Sequence, residues 1–199
     1  MTVTASNALS NSPLTLEPGS LKRWIVQDYR RMGEVGLLNP GERTELLSGQ
    51  ITLMAPRETP NVTSLHLLAL RAQFGETALV RTQDPIQLDD FSDPDLTVVN
   101  RTMLDYAEQH LRPDQVYLVV EVADSTLRHD CEVKDKLYAQ AGIADYWLVD
   151  LKNSQLHIFR EPISTGYTRH LILTEPNQVS PLAFPRIIIS LSEVLPPVV

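Results

Sequence analysis

Three groups of residues carry side chains whose types and spacing could do chemistry. Asp93-Pro94-Asp95 stands directly before the apolar run Leu96-Thr97-Val98-Val99. Proline disfavours helix at the residue before it and is tolerated at strand starts and edges. Asp95 is therefore expected where a loop enters a sheet. Glu121 lies inside YLVVEVADST, residues 117–126, a run that otherwise suits a sheet interior. A carboxylate in a dry strand is costly unless it is paired or bound to a cation. Strand alternation predicts Tyr117, Val119 and Glu121 on one face, and Val120 and Val122 on the other. The third group is Asp130, Lys134 and Tyr138. On a helix this spacing sets them one turn apart along a side stripe. Val133, Leu137 and Ala141 form the neighbouring apolar stripe, and Lys134 borders it.

Each group alone has a plainer reading: a turn aspartate, a strand-end glutamate meeting solvent or an arginine, and a snorkelling lysine on an amphipathic helix. Taken together they describe a reaction site. Asp95 and Glu121 on adjacent strand ends would offer oxygen ligands to a hard divalent cation, Mg²⁺ or Mn²⁺ in its place. The backbone carbonyl of Val122 would be a further donor. Such a cation polarises a phosphoryl oxygen and lowers the pKa of a bound water. Lys134 would hold that water or the developing negative charge. These parts suit phosphodiester hydrolysis.

The elements that must position these residues can be read from periodicity and punctuation. A helix is predicted over Leu21–Glu34, ended by Gly33 and Gly36. RTELLSGQITLMAP reads as a hairpin turning at Ser48-Gly49. A helix capped by Thr59-Pro60 runs to Gly75. Strands are predicted at Ala78–Thr82, Ile86–Leu88 and Leu96–Asn100, with a short helix at Tyr106–Gln109. Val116–Val122 is the most strand-like run. A helix follows over Cys131–Gln140, ending near Gly142. Tyr146–Leu151 and Gln155–Arg160 form a second hairpin around Lys152-Asn153, and Thr168–Leu173 and Ile187–Ile189 are further strands. The pattern predicts an α/β fold: a mixed β-sheet flanked by helices, with an extra N-terminal helix and β-hairpins. The helix after Val122 is expected to cross over between parallel strands, setting Tyr146–Leu151 beside Val116–Val122.

Bulk properties narrow the function classes. The chain has 199 residues, is 43% hydrophobic and carries a formal net charge of −8. That suits one domain, expected over residues 21–195, after a flexible tail at 1–20. An acidic chain is not a general polyanion binder, although a local basic patch remains compatible. Lys22, Arg23, Arg30 and Arg31 make the first helix basic. Arg128, His129, Lys134 and Lys136 make a second basic group beside the expected site. Cys131 is the single cysteine, which fits a reducing cytoplasm. The N-terminus lacks the pattern of a signal peptide, and no apolar run is long enough to span a bilayer. His110, His129, His157 and His170 show no metal-site spacing with cysteine or with one another. A P-loop, a dinucleotide fingerprint and a serine-hydrolase elbow are absent.

At this point a resemblance is visible. The pattern PD…VVEV-DST…D-x-x-x-K-x-x-x-Y-A-x-A-G-I-x-x-Y-W-x-V-D resembles the Uma group of restriction-endonuclease-like proteins, within the PD-(D/E)XK nuclease superfamily. The match runs from about Arg43 to Leu151, and Glu121–Asp150 is its most specific part. RTELLSGQI, the MAP after it, and VRTQDPIQL are also similar to the family. The resemblance implies a restriction-endonuclease-like core, with Asp95 and Glu121 as metal-binding acids. It matches Glu45 to an additional acid that supports the metal or the water. The superfamily's usual lysine position, two residues after the acid, is Ala123 here. The family's displaced lysine falls on Lys134. Tyr138, Tyr146, Trp147 and Asp150 also match family positions and read as structural. Where relatives often carry a histidine after the MAP-like segment, this chain has Asn61.

The expected function is Mg²⁺-dependent endonucleolytic hydrolysis of DNA by a cytoplasmic homodimer. Two-fold pairing is the commonest oligomer, and restriction-type nucleases often use it. The competing expectation is a catalytically inactive binding or regulatory protein on the same fold, favoured by the net charge of −8. A hydrolase acting on another phosphate substrate is a third reading.

Overall fold

The structure is a computed structural model. It describes residues 21–54, 70–75, 77–82, 86–88, 91–92, 94–100, 111–123 and 130–195, apart from the side chains of Gln87, Phe91 and Asp130. The expected tail at 1–20, most of the helix starting at Thr59-Pro60, Asn61, the short helix at 106–109, Arg128 and His129 lie outside these residues.

Helix α1 covers Val26–Glu34, so the N-terminal helix starts five residues later than its apolar spacing suggests. The segment before it is extended because the neighbouring hairpin takes its hydrogen bonds. Trp24 donates its backbone N–H to the Gly49 carbonyl at 2.8 Å, and Arg23 donates to the Ser48 carbonyl at 2.7 Å. The hairpin itself comprises β1 (Thr44–Leu47) and β2 (Gln50–Leu53). Its two turn residues, Ser48 and Gly49, have φ of 51° and 73°. Two successive positive φ values are those of a type I′ turn, whose twist matches that of paired strands. Tyr29 of α1 donates its hydroxyl to the Thr44 carbonyl at 2.7 Å. The base of β1, and with it Glu45, is thereby tied to the helix.

Strands β3 (Leu79–Thr82), β4 (Ile86–Gln87), β5 (Phe91–Ser92) and β6 (Leu96–Val99) follow, then β7 (Val116–Ala123). A π-helical turn at Asp130–Lys134 leads into α2, Asp135–Gln140. The chain continues through β8 (Asp145–Asp150), β9 (Gln155–Ile163), β10 (Gly166–Leu173), β11 (Gln178–Val179) and β12 (Ile189–Ser190). The two-residue strands β5 and β11 are too short to leave a periodic signal in the sequence.

The main sheet has six strands in the order β10-β9-β8-β7-β6-β3. Its pairings are antiparallel except β7 with β8, which are parallel. The helix between β7 and β8 makes the expected crossover. A smaller antiparallel sheet has the order β2-β1-β5-β4. Two apolar cores lie on the two faces of the main sheet. One gathers Leu96, Val98, Leu118, Val120, Trp147 and Val149 against the C-terminal segment. The other gathers Val99, Val119, Ala123, Tyr146 and Leu148 against Leu137, Tyr138 and Ile143. Covered on both sides, β7 can be a nearly continuous run of β-branched and apolar residues.

One expectation about β7 is corrected. Val98 pairs with Leu118, but Val99 pairs with Val116, so Tyr117 is an extra residue in the ladder. A β-bulge of this kind interrupts strict alternation. Tyr117 accordingly meets Phe184 edge-on, with ring centroids 5.3 Å apart, on the side of the C-terminal segment. Val119, Glu121 and Ala123 share the opposite face, toward α2.

The end of α2 is set by a glycine. Gly142 has φ of 78°. Its N–H bonds the Ala139 carbonyl at 2.9 Å, and the Ile143 N–H bonds the Tyr138 carbonyl at 3.0 Å. This is the Schellman pattern, which places a left-handed residue just past the helix. It turns the chain directly into β8 and fixes the height of α2 over β7.

Candidate functional site

Glu121 is 4% exposed and lies at the centre of a hydrogen-bonded cluster. The Lys134 ammonium donates to Glu121 Oε1 at 2.9 Å. The Tyr138 hydroxyl donates to the same oxygen at 2.7 Å. Both donors come from the helical crossover, one turn apart. Glu45, from β1 of the smaller sheet, is 2% exposed, and its Oε1 lies 3.5 Å from Lys134 Nζ. Ser92, from β5 of the same small sheet, holds its hydroxyl 2.8 Å from that of Tyr138. Since Tyr138 spends its proton on Glu121, Ser92 is the donor in that contact. The cluster thus joins three bodies: the main sheet through Glu121, the small sheet through Glu45 and Ser92, and the crossover through Lys134 and Tyr138.

Asp95 stands beside this cluster. Leu96 pairs with Val120, and one further step of that register sets Asp95 opposite Glu121. Cross-strand partners share a face. Asp95 Oδ2 accepts the backbone N–H of Val122 at 2.9 Å, which pins the carboxylate beside the residue that follows Glu121. Val122 itself is half-buried and pairs with Val149 of β8.

The sequence-derived residues Asp95, Glu121, Lys134 and Glu45 are therefore brought together, with Val122 adjoining through its amide. Three details differ from the sequence reading. Lys134 is 2% exposed, so it is an interior cation and not part of a solvent-facing basic group. It is delivered by a wide π turn rather than by a regular α-helix; such turns recur at functional sites. Tyr138 is a direct partner of Glu121 and not only core filling. Ser92 was not foreseen. A serine three residues before Asp95, in a two-residue strand, carries no local signal.

Ala123 occupies the place where a lysine two residues after the acid would stand. It is buried in the apolar core beneath α2. The cation reaches Glu121 from the helix instead.

The electrostatics follow from burial. Two carboxylates, Glu121 and Glu45, face one ammonium in a dry setting. Burial pushes the Tyr138 hydroxyl well above its ordinary range, and the Glu121 charge beside it pushes the same way. Burial and the neighbouring charge thus favour the protonated hydroxyl, the form that donates to Glu121.

Asp95 and Glu121 are oxygen donors of the type a hard divalent cation takes. Both hydrogen bonds to Glu121 fall on Oε1, and among the described residues none falls on Oε2. No cluster of three or more His, Cys, Asp or Glu side chains able to hold an ion occurs among the described residues. A cation here would take two carboxylates and complete its shell with water or carbonyl oxygen, as Mg²⁺ commonly does. Away from the site, His157 and His170 do meet. They lie on adjacent strands, with Nδ1 of the first 3.1 Å from Nε2 of the second.

Comparison with known proteins gives the family and the fold. No curated protein matches the chain. Among solved structures, the chain is similar to one from Anabaena variabilis described as "a putative nuclease belonging to DUF820". The TM-score is 0.61 at 14% identity, over 81% of this chain and 94% of that one. At that identity the likeness is one of fold, and it gives the six-stranded mixed sheet with its helices as a nuclease-like α/β fold. The family model Uma2, described as "Putative restriction endonuclease", matches residues 26–192. The chain belongs to the Uma2 family.

Proposed function

We propose that this protein is a divalent-metal-dependent endonuclease that hydrolyses DNA phosphodiester bonds. The observation that carries the reading is the buried contact between Lys134 and Glu121, with Asp95 at the entry of the facing strand β6. An interior ion pair is a costly feature for stability alone, and buried, paired charges of this kind are candidates for functional sites. The family and the fold of the Anabaena protein support the same class of activity.

Asp95 and Glu121 would hold Mg²⁺, or Mn²⁺ in its place. When bound, the ion would supply polarisation of a phosphoryl oxygen and a more acidic water. The other roles belong to the chain. Val122 N–H holds Asp95 in place, so that little reorganisation is needed on reaction. Lys134 keeps a positive charge in a water-poor setting, where a fixed charge acts more strongly on the growing negative charge of the phosphorane than it would in water. Glu45 helps to aim Lys134. In the net reaction, water adds its oxygen to phosphorus. The phosphorus–oxygen bond to the leaving alcohol breaks, and that alcohol takes a proton. A homodimer would present two such sites to the two strands of a duplex.

The test is cleavage of supercoiled plasmid and of single-stranded DNA with Mg²⁺, Mn²⁺ or EDTA, with Glu121→Ala and Lys134→Ala in parallel. Metal-dependent nicking by wild type, reduced at least a hundredfold in both variants, is expected. Equal behaviour of wild type and variants, no cleavage by any of them included, overturns the proposal and leaves a nuclease-fold binding protein.

A further inference from the structure

We infer that Tyr138, backed by Ser92, is a positioning residue that decides which oxygen of Glu121 is presented to the divalent cation. The inference rests on the nuclease reading and deepens it.

A carboxylate has two chemically equal oxygens, and a free glutamate side chain exchanges them by rotation. At Glu121 that equivalence is removed. Lys134 Nζ at 2.9 Å and Tyr138 Oη at 2.7 Å both approach Oε1. The lysine alone would not fix the choice. It has three donors on a flexible stem, and Glu45 Oε1 at 3.5 Å is an alternative acceptor for it. Tyr138 is different in kind. Its ring is fully buried and rests against Tyr146, with centroids 5.0 Å apart. Its single proton goes to the Glu121 carboxylate, which can only accept, so in the 2.8 Å contact with Ser92 the tyrosine oxygen is the acceptor.

The chain Ser92 Oγ–H to Tyr138 Oη–H to Glu121 Oε1 therefore has one direction and one end. It removes Oε1 from metal binding and holds the carboxylate plane, which leaves Oε2 as the metal-facing atom. Groups that fix a ligating side chain in this way matter for affinity: their loss commonly costs 10–100-fold in metal binding or activity. The position of Ser92 adds a structural consequence. It stands on β5 of the small sheet, which pairs with β1, the strand of Glu45, so the sheet that presents Glu45 also sets the orientation of Glu121.

The experiment measures Mn²⁺ binding to the full chain by titration calorimetry and by the loss of the free-ion paramagnetic signal. Wild type, Tyr138→Phe, Ser92→Ala and Glu121→Ala are compared, with thermal unfolding recorded for each and plasmid cleavage as a second readout. Phe keeps the ring and removes only the hydroxyl, so the packing against Tyr146 survives. The expected result is a tenfold or greater rise in Kd for Mn²⁺ in Tyr138→Phe, a smaller rise in Ser92→Ala, and undetectable binding in Glu121→Ala. A merely structural tyrosine would lower the unfolding temperature and leave Kd unchanged in the folded range. If wild type binds Mn²⁺ and Tyr138→Phe binds it equally well, the inference fails while the nuclease reading stands. If wild type itself binds no Mn²⁺, both fail. Should Tyr138→Phe not fold, Ser92→Ala decides: an unchanged Kd there overturns the inference.

Discussion

Lys134 Nζ lies 2.9 Å from Glu121 Oε1, across 13 residues of chain, and both groups are almost wholly buried. The lysine is the cation shared by Glu121 and Glu45. Removing it leaves two carboxylates in a dry interior. Breaking a buried pair from one side typically costs about 3–5 kcal/mol. Lys134→Met should therefore unfold at lower urea than wild type, by an amount in that range. Adding Glu121→Gln to Lys134→Met should recover about half of the loss, because a neutral amide needs no counter-charge. A double-mutant cycle by urea denaturation measures this. Additive losses would mean that the pair is not coupled.

Asp95 separates structure from chemistry more cleanly. Its Oδ2 accepts the Val122 N–H at 2.9 Å, and an asparagine oxygen can accept the same bond. Asp95→Asn should keep stability within about 1 kcal/mol of wild type and remove most metal affinity and cleavage. Asp95→Ala should lose both, since it orphans the amide as well. Comparable activity in Asp95→Asn and wild type would remove Asp95 from the metal site.

Much of this arrangement was legible in the sequence, for identifiable reasons. The strand β7 and the crossover to β8 are strong local signals: a β-branched run, then helical spacing, then Gly142. Glu121 was legible because a carboxylate is out of place in such a run. Asp95 was legible from the proline before an apolar segment. Two kinds of information were not local. The bulge at Tyr117 depends on a register shift against β6, which no feature of YLVVEVADST encodes. The contact between Ser92 and Tyr138 spans 46 residues and needs the small sheet to be folded against the helix. Lys134 falls between these cases. Its spacing from Tyr138 was visible, but its burial depends on Glu45, a residue 89 positions away.

Thr97 offers a prediction of opposite sign. It follows Asp95 by two residues on β6, pairs with Val119 and is 1% exposed. Its hydroxyl is buried with no hydrogen-bond partner among the described residues. Burying an unpaired hydroxyl costs about 1–3 kcal/mol. Thr97→Val, which keeps the branched shape, should raise stability by about 1 kcal/mol, read as a shift in the urea midpoint at unchanged slope. A loss of stability would show that the hydroxyl has a partner, such as an ordered water beside the acids.

The stacked pair His157 and His170 sets a pH dependence. Nδ1 of His157 lies 3.1 Å from Nε2 of His170, and the ring of Phe159 stacks on His170 with centroids 4.2 Å apart. A single hydrogen bond between two imidazoles needs one nitrogen without a proton, so the pair cannot hold two full charges in this geometry. Burial lowers both pKa values, and for His157 the neighbouring His170 lowers it further. Asp150 opposes the shift at His157, and Asp135, at the start of α2, opposes it at His170. Below the ordinary histidine value of 6.5, the unfolded chain then binds more protons than the folded one. Stability from this pair is fully present above that pH and is lost as pH falls through 6.5 toward the lower folded values. Urea denaturation between pH 5 and 8 should show a decline on the acid side. In His157→Gln the decline should be shallower, by up to about one proton taken up on unfolding. Parallel curves for wild type and variant would show that the pair titrates alike in both states.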